Sequence, residues 1–289
     1  MNMIIRPAGS ADADACGHIC YEAFKVVNER HGFPSPFPSA EAASDRVDSV
    51  LRHPSFFGVV AESSDDGRIV GFSFLSERDP IRAVGPVAVD PAVQSRGLGR
   101  RLMQAVLERA RGARGVRLLQ DAFNMQSLSL YASLGFEAKE LCVALSGVPV
   151  SPPLPNWDVR LLTEADLEAC EALHERIHGH PRTNELREAL SAGLPVVALR
   201  GGRIRAYMAV PTIWLANFGV SETEADMQAL LLGAARIAET SLSFLLPIRQ
   251  ATLLRWCLSQ SFRTIRPMTL MAIGEYHEPQ GSYIPSVLY

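Results

Sequence analysis

The segment spanning residues 87–100, Val-Ala-Val-Asp-Pro-Ala-Val-Gln-Ser-Arg-Gly-Leu-Gly-Arg, constrains this chain more than any other. Its apolar run, Val87, Ala88 and Val89, reads as a strand that closes at Pro91, which has no N–H to give to a ladder. Gln94, Ser95, Arg96, Gly97, Leu98, Gly99 and Arg100 then lead into a helix expected over 97–111. There Leu98, Leu102, Met103, Val106, Leu107 and Ala110 recur every three or four positions, while Arg100, Arg101, Glu108 and Arg111 take the opposite face. One side of this helix must pack on a sheet. Glycines 97 and 99 allow close approach of a ligand to the main chain. Consecutive N–H groups at a helix start, aided by the helix dipole, form a concave anion site that suits a pyrophosphate. Arg96 and Arg100 add charge-assisted contacts to phosphate oxygens. Rival phosphate motifs fit worse: no Walker A loop occurs, and a dinucleotide fingerprint needs a third glycine where Leu102 stands.

Around this segment the first half alternates strand and helix. Strands are expected near 3–6, 56–62, 69–75, 83–89, 116–121 and 136–145, and helices near 10–28, 41–51 and 126–133. A hairpin turns at Asp65-Asp66-Gly67, and a proline-rich loop covers 33–38. Gly147, Pro149, Pro152, Pro153 and Pro155 mark a linker. With 289 residues, about twice an ordinary domain, the chain divides into domains at 1–146 and 157–289 joined by 147–156. The second half echoes the first: Thr163-Glu164-Ala165-Asp166 follows a strand as Gly9-Ser10-Ala11-Asp12 does, and Arg203-Ile204 follows Gly201-Gly202 as Arg68-Ile69 follows Gly67.

Gln94-x-x-Gly97-x-Gly99 after a strand, then Asn124 after the next strand, Tyr131 on the following helix and Gly135-Phe136, resemble the paired motifs of the GNAT acetyltransferase family over roughly residues 3–145. The resemblance implies an α/β fold of two tandem GNAT-like domains. Each has a mostly antiparallel mixed sheet flanked by helices, and the first is splayed at the cofactor site. It implies acetyl-CoA as cofactor and transfer of acetyl to a primary amine of a small molecule or peptide. By analogy Val87, Ala88 and Val89 hold the pantetheine arm through their main chain, and the Val89 N–H faces the thioester oxygen. Asn124 and Ser127 bond the arm or cap the helix, and Tyr131 is the general acid. Glu77 and Asp121, each at a strand end, are the alternative termini of a water relay that removes the amine proton.

The second half lacks the signature. Val220-Ser221-Glu222-Thr223-Glu224-Ala225 puts acid where glycine and arginine would cradle phosphate, and the helix near 253–260 offers no tyrosine before Phe262. A degenerate repeat that shapes the acceptor pocket or braces the first domain is expected. His174-Glu175-x-x-His178 satisfies the zinc-peptidase pattern, with Glu185 or Glu188 conceivable as third ligand. Gly179 and Pro181 end the helix at once, however, and His180 follows too closely for the longer pattern. The reading adopted is no metal and a solvated helix end carrying cationic histidines. The apolar tail, 276–289, is expected to dock, either as an edge strand or across the domain interface. A net charge of −3 with no basic block argues against nucleic acid, and no apolar run reaches a membrane span. Five scattered cysteines suit reduced thiols. A cytoplasmic monomer or homodimer follows as the expectation. Two other functions stay open: an acyl-CoA-binding regulatory module without turnover, and a zinc peptidase.

Overall fold

The computed structural model describes residues 3–94 and 97–288. The chain forms two compact units: residues 1–117 with 123–136, and residues 118–122 with 137–289.

In the first unit, β1 (Met3–Pro7) leads through a tight turn at Ser10–Asp12 into α1 (Ala13–Arg30). Then follow α2 (Ala40–Arg52), β2 (Phe56–Ser63), β3 (Ile69–Ser76), β4 (Ile81–Val89), α3 (Leu98–Arg109), β5 (Gly115–Asp121) and α4 (Met125–Ser133). The strands lie in the order β1-β2-β3-β4-β5. All are antiparallel neighbours except β4 and β5, which run parallel. Every residue of β3 is buried, as a central strand covered on both faces requires. The core joins Ile19, Cys20, Val47, Val60, Phe72 and Phe74. The expected amphipathic stripe of α3 is buried at Leu98, Leu102, Met103 and Val106. The Ser39 hydroxyl starts α2 by accepting from the Ala42 N–H at 3.1 Å.

The second unit contains β6 (Glu137–Gly147), β7 (Asp158–Leu161), α5 (Leu167–His178), α6 (Thr183–Ala192), β8 (Val196–Arg200), β9 (Arg203–Met208) and β10 (Gly219–Ser221). It continues with α7 (Glu224–Ala238), β11 (Leu242–Pro247), α8 (Ala251–Ser259), β12 (Arg263–Gly274) and β13 (Ser282–Ile284). One sheet runs β13-β10-β9-β8-β7 and is fully antiparallel. Its two faces serve two cores: Val196, Ala198, Ala206 and Met208 meet one, and Val197 and Tyr207 meet the other, as the two-residue strand period dictates. The remaining strands follow the order β5-β12-β6-β11.

The division departs from the expected 1–146 and 157–289: residues 118–122, β6 and the stretch 147–156 all belong to the second unit. β6 pairs with β11 from Leu242↔Gly147 to Pro247↔Cys142 and with β12 from Arg263↔Ser146 to Ala272↔Glu137. Both of its edges are thus filled by strands of the second unit, and the proline-rich stretch 147–156 lies inside that unit. The duplication is visible in side-chain geometry. Arg6 grips Asp12 through two bonds of 2.9 and 2.8 Å, and Arg160 grips Asp166 through two of 2.8 Å. The Gly9 and Thr163 N–H groups donate to the same carboxylates. Arg160, Thr163, Asp166 and buried Cys170 each stand 154 positions after Arg6, Gly9, Asp12 and buried Cys16.

Candidate active site

The two sequence motifs meet in the first unit at the start of α3. Gly97, the cap residue, has φ +76°, and no side chain caps the helix among the described residues. The first amide groups of any α-helix lack intrahelical acceptors. At α2 and α4 a side chain takes one of them: the Ser39 hydroxyl does so for α2, and for α4 the Asn124 Oδ1 accepts from the Ser127 N–H at 3.1 Å. At α3 the cap has no side chain to offer, and a Cβ built on Gly97 would meet nothing within 4 Å. Among the described residues, the space beside the cap is therefore open. Ser95 and Arg96, expected in this turn, lie outside the described residues.

β4 leads into this turn and carries a bulge. Its register with β3 passes from Leu75↔Val84 to Ser73↔Val87, so β4 holds one extra residue, and Pro86, with no N–H to pair, sits within it. The parallel ladder to β5 covers only Ile81↔Gly115 to Ala83↔Arg117. The Asp90 N–H donates to the Val70 carbonyl. By strand alternation the Val87 and Val89 N–H groups face the opposite edge, which carries no ladder beyond Ala83 among the described residues. Ala88 instead turns its side chain into the core. Gln94 donates from Nε2 to the Val89 carbonyl at 3.0 Å, tying the turn back to the strand end.

α4 lies against the start of α3. A Cβ on Gly99 would come within 3.3 Å of Leu130 Cδ2, and the Arg100 guanidinium donates to the Ser133 hydroxyl at 2.6 Å. Tyr131 on α4 is buried and stands edge-on to Phe136, with centroids 6.1 Å apart. Capping by Asn124 uses its oxygen and leaves its amide N–H₂ as the group that could serve a ligand. Phe123, just ahead of Asn124, stacks on Phe33 at 4.4 Å and touches His31 at 5.1 Å. The α1–α2 loop is thereby anchored at the site, a placement that no spacing in the sequence signals. Ser73, opposite Val87 at the bulge, keeps a buried hydroxyl without a hydrogen-bond partner.

Both candidate carboxylates are engaged. Glu77, one residue past β3, takes the Arg109 guanidinium through contacts of 2.9, 3.2 and 3.3 Å. Its side chain keeps 19% exposure. Asp121, in the second unit, meets Arg266 at 3.1 Å with both side chains nearly sealed from water. Burial pulls the Arg266 guanidinium below its ordinary value, against the pull of Asp121.

The corresponding helix start of the second unit is closed. Thr223 caps α7 by accepting from the Asp226 N–H at 3.2 Å. Glu222 gathers Arg203 at 2.6 Å, Arg176 at 3.2 Å and Arg205. The edge of β10 that corresponds to the open edge of β4 is filled by β13, from Gly219↔Ile284 to Ser221↔Ser282. Of the two docking modes expected for the tail, pairing within its own unit is the one found. The expectation of solvated, cationic histidines at 174 and 178 is corrected: both are buried, as is His180. Burial above all, then His178, His180 and Arg182, pushes His174 well below the ordinary histidine value, so it is neutral.

The donor set of the first unit, uncapped amides, an unpaired strand edge and a free side-chain amide, fits the phosphates and amide-rich arm of coenzyme A. Residues 22–136 match the sequence profile of the Acetyltransferase (GNAT) family. The chain is 35% identical over 132 residues to the N-alpha-acetyltransferase RimI of Mycobacterium tuberculosis, covering 44% of this chain and 73% of that protein. It is also 35% identical over 143 residues to a mycothiol acetyltransferase of Nocardia farcinica, covering 47% and 46%. The match thus spans under half the length of that relative. Among solved structures, an acetyltransferase of Pyrococcus horikoshii superposes with a TM-score of 0.74 at 17% identity over 97% of this chain and 94% of its own. A tandem GNAT protein from the clavulanic acid pathway superposes with a TM-score of 0.59 at 14% identity over 94% and 98%. These last two define a tandem α/β fold. The chain belongs to the GNAT acetyltransferase family, whose cofactor is acetyl-CoA.

Proposed function

We propose that the chain is an N-acetyltransferase moving acetyl from acetyl-CoA to a primary amine of a small molecule or peptide. When bound, acetyl-CoA supplies the acetyl group as a thioester. The observation that carries the reading is the uncapped, left-handed turn at Gly97, joined on one side to the open edge of β4 and on the other to α4. The amides of residues 97–100 hold the diphosphate, with Arg96 and Arg100 as flanking charges. The main chain of Val87 and Val89, with Asn124 and Ser127, holds the arm, and the Val89 N–H polarises the reacting carbonyl. Tyr131 donates a proton to the leaving sulfur.

Of the two carboxylates, Glu77 is the one water can reach, so we assign it the end of the proton relay and assign Asp121 a structural role. The relatives' names, an N-alpha-acetyltransferase and a mycothiol acetyltransferase, support an amine acceptor without naming the one used here. Five buried free thiols support a reducing, cytoplasmic setting. A second reading, an acyl-CoA-binding module without turnover, draws support from the arginine held by each candidate base.

Thiol release from acetyl-CoA against a panel of amines separates the two. Turnover that falls about 100-fold or more in Tyr131→Phe, with CoA affinity unchanged by calorimetry, is the expected result. Tight CoA binding with no turnover on any amine supports the module instead.

A further inference from the structure

We propose that His174, His178 and His180 form a binding site for a divalent transition-metal ion of the zinc class, inside the second unit and separate from the acetyl-transfer site. The geometry follows from a short stretch of chain. His174 and His178 are one helical turn apart on α5 and project from the same face, with ring centroids 4.6 Å apart. Gly179 then takes φ +76°, a conformation that reverses the chain and that a side chain would obstruct, since a Cβ there would lie 2.6 Å from His277 Cδ2. The reversal returns His180 to the other two, at centroid distances of 5.4 and 5.8 Å. Each ring offers one nitrogen, and the three lie within 4.8 Å of one another. Zinc–nitrogen bonds of about 2.0–2.1 Å bring tetrahedral ligands to roughly 3.4 Å, so small ring rotations close the set.

Two further observations point to a ligand. His174 Nε2 is buried and has no hydrogen-bond partner, a costly arrangement for a polar atom unless something fills the space before it. On two of the three rings the other nitrogen is held from outside, as metal-bound imidazoles require. His174 Nδ1 bonds the Tyr207 hydroxyl at 2.7 Å, and His180 Nδ1–H donates to the Pro181 carbonyl at 3.1 Å. All three imidazoles are neutral donors when they ligate. The nearby Arg182 is paired with Glu185 at 2.6 Å and stacked on Phe218 at 3.8 Å, so its charge is already opposed.

No cysteine or carboxylate joins the three among the described residues, which leaves a fourth position for water or a small anion. Glu175 of the His-Glu-x-x-His pattern is exposed, away from the buried rings, so the arrangement is not that of a peptidase. An ion here would clamp the end of α5 to its neighbours. The Tyr283 ring of β13 packs edge-on to His178 at 5.0 Å, and the Gln280 N–H donates to the Ile177 carbonyl, so the tail strand would be fastened as well.

The test uses the full-length, untagged chain, stripped with chelator and titrated with zinc and with cobalt. One zinc per chain, a midpoint rise of about 4–8 °C at a hundredfold excess over Kd, and visible cobalt bands of a low-coordinate nitrogen site without sulfur charge transfer are expected. Absence of binding up to millimolar zinc, or only the pale spectrum of hydrated cobalt, overturns the proposal. Among variants, His180→Gln is expected to weaken zinc at least 100-fold and Tyr207→Phe about 10- to 100-fold, while His277→Gln, outside the set, retains it. Unchanged zinc affinity in a folded His180→Gln chain would equally overturn it, and should that chain fail to fold, Tyr207→Phe decides on the same readout.

Discussion

The starts of α3 and α7 occupy the same place in the two repeats, α3 after β1–β4 and α7 after β7–β10, yet they meet opposite fates. At α3 a glycine with no side chain leaves the amides open, and the neighbouring strand edge is unpaired. At α7 a threonine supplies the cap, a glutamate collects three arginines, and β13 covers the strand edge. Gln250, which precedes α8 as Asn124 precedes α4, holds that tail: its Nε2 donates to the Tyr283 carbonyl at 2.8 Å and its Oε1 accepts from the Tyr283 N–H at 3.2 Å. Where the first repeat leaves the β4 edge without a ladder beyond Ala83 among the described residues, the second has satisfied the equivalent edge with its own chain. Backbone donors and acceptors that meet no ligand need partners from the chain itself, and β13 and Thr223 supply them in the second repeat.

The comparison can be broken most forcefully by ending the chain at Gln280. Tyr283 and Ile284 are 1% and 2% exposed, so their removal together with the β10 ladder is expected to lower stability by about 4–5 kcal/mol, read by urea unfolding. CoA stoichiometry should stay at one, because Thr223 and Glu222 still close α7; a second equivalent of CoA would refute the account of that helix start. Gly97→Val acts on the other side of the comparison. A β-branched residue at φ +76° strains and blocks the turn, and CoA affinity is expected to fall about 100-fold, or about 2.7 kcal/mol, by calorimetry. Thr223→Gly should cost only a few tenths of a kcal/mol and create no CoA site.

An acid titration sharpens what the repeats share. Arg160 holds Asp166 at a pKa of about 2, chiefly by hydrogen bonding, and Arg6 holds Asp12 below the usual carboxylate range in the same way. A depressed carboxylate stabilises the fold fully above its unfolded value of about 3.8 and loses that contribution as pH falls through about 2. With the arginine partly in solvent, Asp166→Asn is expected to lower stability at pH 7 by about 1–2 kcal/mol and to flatten the stability profile between pH 4 and pH 2. Asp12→Asn should behave alike. Divergent acid profiles for the two variants would show that the clasps no longer do the same work.

The local geometry of the turn into α3 was legible because it is written within a few residues: Gly97 takes a left-handed φ, Gln94 bonds back to the Val89 carbonyl, and Asn124 caps α4. The amphipathic α3 was legible for the same reason. α7 was not: Met227, Ala229, Leu230, Leu231 and Leu232 are buried on several sides of the helix, which leaves no polar face to give a period. The arginine partners of Glu77 and Asp121 were also hidden, since one lies 32 residues away and the other 145. The meaning of His-Glu-x-x-His depended on burial, which a motif does not carry.

Sequence alone determined a glycine turn between a strand and the amphipathic α3, and the echo of Gly9-Ser10-Ala11-Asp12 in Thr163-Glu164-Ala165-Asp166. Each is fixed by the conformational range or charge of residues close together in the chain. Only the tertiary structure decided that β6 is filled on both edges by later strands, that the tail covers β10, and that three histidines face one another out of water. Those outcomes rest on pairing and burial between segments far apart in sequence, where backbone donors and apolar surface take whichever partner the folded chain brings near.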